Sequence, residues 1–195
     1  MSSVFNGSNS YIKVNSTNWM IKGMTALTVN FWAKTSSWPA NTRLISCTES
    51  GGFNLESGNS GYWRFPVHVY TNSGQTSATY KYDSNEIKIA DLIPNEWNMI
   101  TLVYDGTGTR TYLNGELHHT YTNVSYGIIF NTNARLFLGC EASTASPASP
   151  YFNGMESDFR IYATALSADD IKSLYQNSAY IDNQGNIYGA VYEEV

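Results

Sequence analysis

Gly154-Met155-Glu156-Ser157-Asp158-Phe159-Arg160-Ile161-Tyr162, followed after a short gap by Ala165-Leu166-Ser167 and then Asp170-Ile171 and Leu174-Tyr175, sets a β-prone run directly against a helical one. The first run reads as a strand. In the second, Ile171, Leu174 and Tyr175 recur at helical spacing, and Ser167 stands three residues before Asp170. Ser167 can cap the free backbone amides of the first turn, and Asp170 sits at the positive end of the helix dipole. A single short helix after many strands belongs on the rim of a two-sheet structure, with Ile171 and Leu174 expected to cover the open end of the sandwich. Arg160, alone in an apolar strand, is expected to be paired or bonded to backbone rather than to touch a ligand.

Upstream of this segment, short alternating stretches recur with turn signals between them. Ser10 to Val14, Leu27 to Lys34, Arg43 to Cys47, Phe53 to Glu56, Tyr62 to Tyr70 and Ala78 to Tyr82 read as strands, as do Trp97 to Tyr104, Arg110 to Leu113, Glu116 to Tyr121 and Arg135 to Cys140. Asn114-Gly115 between two of these marks the surest hairpin, because both residues tolerate positive φ. Asp105, in Tyr104-Asp105-Gly106, is expected to form a turn. The stretch Glu141 to Pro150, rich in Ala, Ser and Pro, reads as a variable surface loop. With 195 residues, 42% of them hydrophobic and 15 of them Tyr, the chain supports one large β-sheet core and not two ordinary domains. Its two cysteines, Cys47 and Cys140, each end an apolar run and read as buried free thiols, a bridge requiring that their strands be neighbours.

A net charge of −5 with 11 scattered Lys and Arg argues against nucleic acid as a partner. No apolar run is long enough to insert in a membrane, and the first residues lack the basic and apolar regions of a signal peptide. Catalytic groupings are missing from the pattern. Glu49, Glu56, Glu86, Glu96, Glu116, Glu141 and Glu156 are isolated, with no paired-carboxylate motif for glycosidic cleavage. His68, His118 and His119 lack metal-ligand spacing, and no Gly-x-Ser-x-Gly elbow occurs. The expectation is a protein that binds and is not an enzyme.

Gripping a sugar needs flat aromatic faces beside planar polar groups. If Tyr62 to Tyr70 is a strand, Trp63, Phe65, Val67 and Val69 line one face, which reads as core, while Tyr62, Arg64, His68 and Tyr70 line the other. Asn54 and Glu56 share that second face if Phe53 and Leu55 point inward, and Tyr80 and Tyr82 extend it. The competing reading is an ordinary solvated sheet face. Trp38, beside Pro39, is a second candidate platform unless it folds back onto the core.

Taken in order, Phe5-Asn6-Gly7 through Tyr11, Leu27 to Lys34, Trp97 to Gly106, Tyr112-Leu113-Asn114-Gly115 and the closing segment from Phe152 to Tyr175 resemble the laminin-G-like jelly-roll domains of the concanavalin A-like lectin and glucanase superfamily. The resemblance implies an all-β, two-sheet antiparallel sandwich over residues 1–178 with one short C-terminal helix, and a lectin-like, non-catalytic role with a glycan or cell-surface polysaccharide as partner. It further implies a structural calcium ion, with Asp158 and Asn6 as first candidate ligands, Asn6 standing where relatives often carry Asp. Residues 179–195 read as a separate short hairpin or tail that resembles the endings of some bacteriophage tail and baseplate proteins. That likeness implies a virion location and contacts to other virion proteins or to a second copy; the alternative is an extracellular or cell-surface domain of a longer protein. A structural or protein-interaction domain of a virion or cell-surface assembly is the alternative function, with a glycoside hydrolase ranked behind it.

Overall fold

The computed structural model describes residues 2–14, 23–47, 52–57, 61–70, 78–81, 87–122, 128–129, 136–143, 146–178, 180–181 and 187–188. Numbered in chain order, β17 (Asn153–Tyr162) lies between β1 (Ser2–Asn6) and β3 (Leu27–Lys34), antiparallel to both. On the far side of β3 follow β10 (Asn98–Tyr104), β11 (Thr109–Leu113) and β12 (Glu116–Tyr121), giving a six-stranded sheet. The second sheet runs β13 (Ile128–Ile129), β7 (Val67–Tyr70), β5 (Gly52–Ser57), β4 (Arg43–Ser46), β14 (Leu136–Leu138) and β2 (Ile12–Val14). Beside that path, β6 (Tyr62–Arg64) joins β5 to β9 (Ile87–Lys88), and β8 (Ala78–Lys81) pairs with β7. The molecule is thus the antiparallel two-sheet sandwich that the sequence pattern implies, with one α-helix among the described residues.

Period-two alternation explains the core. Val29, Phe31 and Ala33 of β3 and Ile100, Leu102 and Tyr104 of β10 face inward against Phe53, Leu55, Trp63, Phe65 and Val67 of the second sheet, all closed to solvent. Each such large side chain contributes roughly 1.5–3 kcal/mol on leaving water. Pro66 interrupts the expected strand Tyr62 to Tyr70 without shifting it: Glu56 pairs with Arg64 and Phe53 with Val67 in one register, and the Pro66 carbonyl accepts from Asn54 N at 3.1 Å. Only a ladder donor is lost there. At Asn114-Gly115 both residues take positive φ, 52° and 84°, the twist that joins two strands by a two-residue turn.

Two expectations need correction. The helix α1 (Ala168–Asn177) does not close the open end of the sandwich; it lies on the outer face of the six-stranded sheet. The reason is a second apolar patch. Trp32, Met99, Val103 and Tyr112 point outward from the sheet, Ile171 buries itself completely among them, and Tyr175 stacks on Trp32 with ring centroids 5.7 Å apart. The Ser167 hydroxyl accepts from Asp170 N at 3.1 Å and the Asp170 carboxylate accepts from Ser167 N, a complete capping box.

Nor is the stretch after Cys140 an irregular surface loop. β15 (Cys140–Ser143) and β16 (Ser146–Tyr151) form a hairpin laid over the outer face of β4, where Ala142 N donates to Ser46 Oγ at 3.0 Å. Phe137, Cys140, Ala142 and Tyr151 form a small apolar cluster beneath it. Cys47 and Cys140 are both free and buried; although β4 and β14 are neighbours, Cys47 belongs to the core between the sheets and Cys140 to the outer cluster. Beyond α1, β18 (Tyr180–Ile181) pairs with β19 (Ile187–Tyr188) as a separate two-stranded ribbon.

Asp105 forms its turn by accepting from Thr107 N and Gly108 N, both at 2.9 Å, and from Arg110 at 2.6 Å. Partial burial pushes its carboxyl up, but the Thr107 amide and hydroxyl, Arg110 and the Gly108 amide outweigh this and hold it at about 2. A depressed folded-state pKa gives stability that is complete above the unfolded value near 4 and is lost as pH falls toward 2. The Asp105→Asn variant should therefore be about 1 kcal/mol less stable at pH 7, with the gap closing by pH 2 in a series of thermal melts. Ser167→Ala should cost about 1 kcal/mol through loss of the cap, a fall in Tm of about 2–4 °C by calorimetry.

Candidate functional site

Strand β5 buries both of its faces. Phe53 and Leu55 enter the core, while Asn54 and Glu56 face outward yet are only 3% and 2% exposed. Glu56 is the hub of a charged network. Arg64 Nε donates to Glu56 Oε1 at 2.6 Å, and Arg43 approaches Oε2 at 2.8 Å, with Asn54 Nδ2 donating to Oε2 at 3.2 Å. The same Arg43 nitrogen reaches Glu141 Oε2 at 3.0 Å, so the charges alternate as Arg64, Glu56, Arg43, Glu141. Two guanidinium groups are brought onto one buried carboxylate, each through a charge-assisted contact to a different carboxylate oxygen.

The predicted face therefore divides. Asn54 and Glu56 are closed supports. Arg64, with 29% of its side chain exposed, and half-buried Tyr62, two residues before it on the same side of β6, form the accessible part. Lys88 lies opposite Tyr62 across the β6–β9 pair and is exposed. His68 and Tyr80 face each other in the register of β7 and β8, and Tyr70 pairs with Ala78. The side chains of His68, Tyr70 and Tyr80, and Tyr82 as a whole, lie outside the described residues. Trp38 offers no platform: it is 7% exposed, edge-on to Trp63 at 6.1 Å and stacked on Phe152 at 6.5 Å. A flat indole next to Pro39 finds more apolar contact in the core than in water.

Residues 6–172 match a laminin-G family model described as the concanavalin A-like lectin/glucanases superfamily. The chain belongs to this superfamily. Domain 4 of AbnA, an extracellular GH43 arabinanase from Geobacillus stearothermophilus in complex with arabinotriose, is similar with a TM-score of 0.67 and 20% identity, covering 90% of this chain and 76% of that one. A structure of botulinum neurotoxin type C, described as dependent for cell entry on interaction with two ganglioside molecules, gives 0.62 at 19% identity, covering 91% of this chain and 42% of that one. The native heptameric SAP-like pentraxin from Limulus polyphemus gives 0.61 at 17% identity, covering 91% and 82%. Likeness at these identities is one of fold. The chain spans less than half of the neurotoxin chain, and a comparison with curated protein sequences gives no match.

The calcium ion that the superfamily resemblance implies does not fit the residues first expected to hold it. Asn6 pairs with Asn153 across the β1–β17 ladder, whereas Asp158 lies five residues further along β17. At the rise of a β-strand that separation is roughly 16 Å. Each group is also engaged: the Asn6 Oδ1 accepts from Ser8, Asn9 and Ser10 amides at 3.0–3.1 Å, and Asp158 binds Arg160 through both carboxylate oxygens at 2.9 and 2.5 Å. Arg160 thus has the structural partner expected of it. Among the described residues no group of three or more His, Cys, Asp or Glu side chains could hold a metal ion.

Arg43 and Glu141 were outside the predicted set. Arg43 opens an otherwise apolar strand, a signal that a counter-charge must lie nearby. Glu141 carried no comparable signal, because its position over β4 depends on the hairpin that contains it. Removing Glu56 would leave two partly buried guanidinium groups without their shared counter-charge. Glu56→Ala should therefore cost about 3–5 kcal/mol, and Arg64→Ala less because that side chain is more exposed, as measured by chemical denaturation at pH 7.

Proposed function

We propose that this domain is a non-catalytic carbohydrate-binding module whose recognition surface is the strip formed by Tyr62 and Arg64, bordered by Arg43 and Glu141. The observation that carries this reading is the buried Glu56 carboxylate, which holds the Arg64 guanidinium in place beside an aromatic ring. A planar donor fork matches vicinal hydroxyls, and an aromatic face matches the apolar C–H side of a sugar ring. Fixing both before the ligand arrives lowers the ordering cost of binding. The arabinotriose bound to the arabinanase domain and the gangliosides named for the neurotoxin support a glycan as the ligand class.

A hydrolase reading fares worse on geometry. Glu56 and Glu141 stand on either side of one Arg43 nitrogen, so the space between them is filled by a guanidinium group and Glu56 is closed to solvent. Neither arrangement leaves room for a glycosidic oxygen between two carboxyl groups. The resemblance of residues 179–195 to bacteriophage tail and baseplate proteins supports a bacterial surface polysaccharide as the target and a virion as the setting, with the C-terminal ribbon serving assembly.

The test is binding of the full chain to an array containing arabino-oligosaccharides, ganglioside oligosaccharides and bacterial surface polysaccharides, followed by calorimetric titration of any hit. We expect a glycan ligand, and at least a tenfold loss of affinity in Tyr62→Ala with Arg64→Ala while the thermal transition persists. A silent array, or affinity unchanged in the double variant, would refute the assignment.

A further inference from the structure

β1, β17 and β3 lie side by side in the six-stranded sheet, and their register sets Val4 opposite Met155 and Met155 opposite Lys34. All three side chains leave by the outer face: Phe5 and Ala33, neighbours of Val4 and Lys34 in sequence, enter the core, and Met155 packs against the cluster under α1. Asn153, two residues before Met155 and next to the core residue Phe152, shares that face and is exposed. These residues border a cavity of about 260 Å³ whose other walls include Ser36, just past the end of β3, and Asn95. The loop before β10 is tied in at this point, because Asn95 N donates to the Thr35 carbonyl at 2.8 Å while Asn95 itself sits in the left-handed region at φ 63°. Val4, 66% exposed, and half-buried Met155 give the cavity an apolar side. Tyr62 and Arg64 belong to the other sheet.

The chemistry of the walls narrows the ligand class. Lys34 is the one titratable side chain among the described lining residues, and it joins no ion pair among the described residues. Two acids are near it in the chain's layout without answering it: Glu156 follows Met155 but turns to the inner face, and exposed Glu96 follows Asn95 without pairing. Half-buried Lys34 thus brings an uncompensated positive charge to a partly desolvated wall, where a carboxylate gains more than it does in open water. Ser36, Asn95 and Asn153 supply neutral donors and acceptors, and none of these three side chains has a hydrogen-bond partner among the described residues. A bare inorganic anion would use Lys34 alone, and a neutral sugar would leave it unanswered. The volume lies below the range of about 300–1,000 Å³ that suits a drug-sized ligand, so it suits a single ring.

We propose that this cavity is a second binding site, separate from the Tyr62–Arg64 strip, which takes one residue of an acidic sugar. The carboxylate meets Lys34 Nζ, the hydroxyls meet the carboxamides of Asn95 and Asn153, and the C–H side of the ring rests on Met155 and Val4.

Methyl β-D-glucuronide is the probe, with methyl β-D-glucoside as its neutral isostere and acetate as the bare anion. Each is titrated at pH 7 into the isotope-labelled full chain and followed by the amide resonances. The glucuronide should move those of Lys34, Thr35, Asn95 and Gly154 saturably and bind roughly fivefold or more tightly than the glucoside or acetate. Added salt should shrink that preference. Lys34→Gln should abolish it while leaving the glucoside's affinity unchanged, and Asn95→Gly, which suits the left-handed backbone there, should weaken both glycosides. Tyr62→Ala with Arg64→Ala should change none of these results, so the two sites stand or fall separately. Equal affinity for glucuronide and glucoside, resonance shifts confined to β6 and β9, an unaltered Lys34→Gln variant, or no saturable shift with any of the three ligands overturns the proposal. Should Lys34→Gln fail to fold, the glucuronide-to-glucoside ratio and its salt dependence in the parent chain decide the matter.

Discussion

β17 hydrogen-bonds to β1 along one edge and to β3 along the other, so the six-stranded sheet is complete only when residues 153–162 have been inserted between two strands from the beginning of the chain. Much else is attached to that insertion. The same strand delivers Met155 to the cluster under α1, Phe159 and Ile161 to the core, and Glu156 to a closed position between the sheets. Such pairings have large sequence separation, and the loop-closure entropy must be overcome before they contribute, which places this fold among slow-folding topologies. The register shift between Ser157 and Arg160, with Asp158 at φ 52°, reconciles two partners whose strands end at different points.

Each sheet is covered over part of its outer face, one by α1 and the other by the β15–β16 hairpin, and this sets how far the sequence could be read. Where local chemistry decides, the reading was direct: Asn114-Gly115 forms its hairpin, Ser167 and Asp170 cap their helix, and Trp63, Phe65 and Val67 enter the core from alternate positions. Where a distant element decides, it was not. Asn54 and Glu56 carry the pattern of a solvated face, and only the pairing of Arg43 and Arg64 across neighbouring strands makes Glu56 a buried hub. The hairpin over β4 draws its apolar cluster from Phe137, Cys140, Ala142 and Tyr151, a spacing with no regular period, so it resembles a loop until the sheet beneath is in place. Helix placement failed for a related reason. The outward Trp32, Met99, Val103 and Tyr112 alternate with inward residues on three strands, and no single strand reveals that the patch is large enough to require a lid.

The acids illustrate how environment divides chemically identical groups. Glu56 is answered by two arginines, Asp158 by one, and Asp170 by a helix cap, while Glu156 on the inner face of β17 has no partner among the described residues. In the sequence Glu56 and Glu156 looked alike, both isolated from any second carboxylate motif. The roles of these acids follow from whether the fold brings a cation, a backbone amide or neither to them.

The two thiols occupy different compartments, and their reactivity should separate accordingly. Burial pushes the Cys47 thiol up to about 12 and the Cys140 thiol up to about 11, in each case only partly offset by a backbone hydrogen bond, so neither is a competent nucleophile in the closed molecule. Alkylation at Cys47 requires the sheets to part, whereas alkylation at Cys140 requires only that the hairpin lift from β4. One chain thus contains two chemical clocks, one timing the opening of the whole sandwich and the other timing the loosening of the cover beside Arg43.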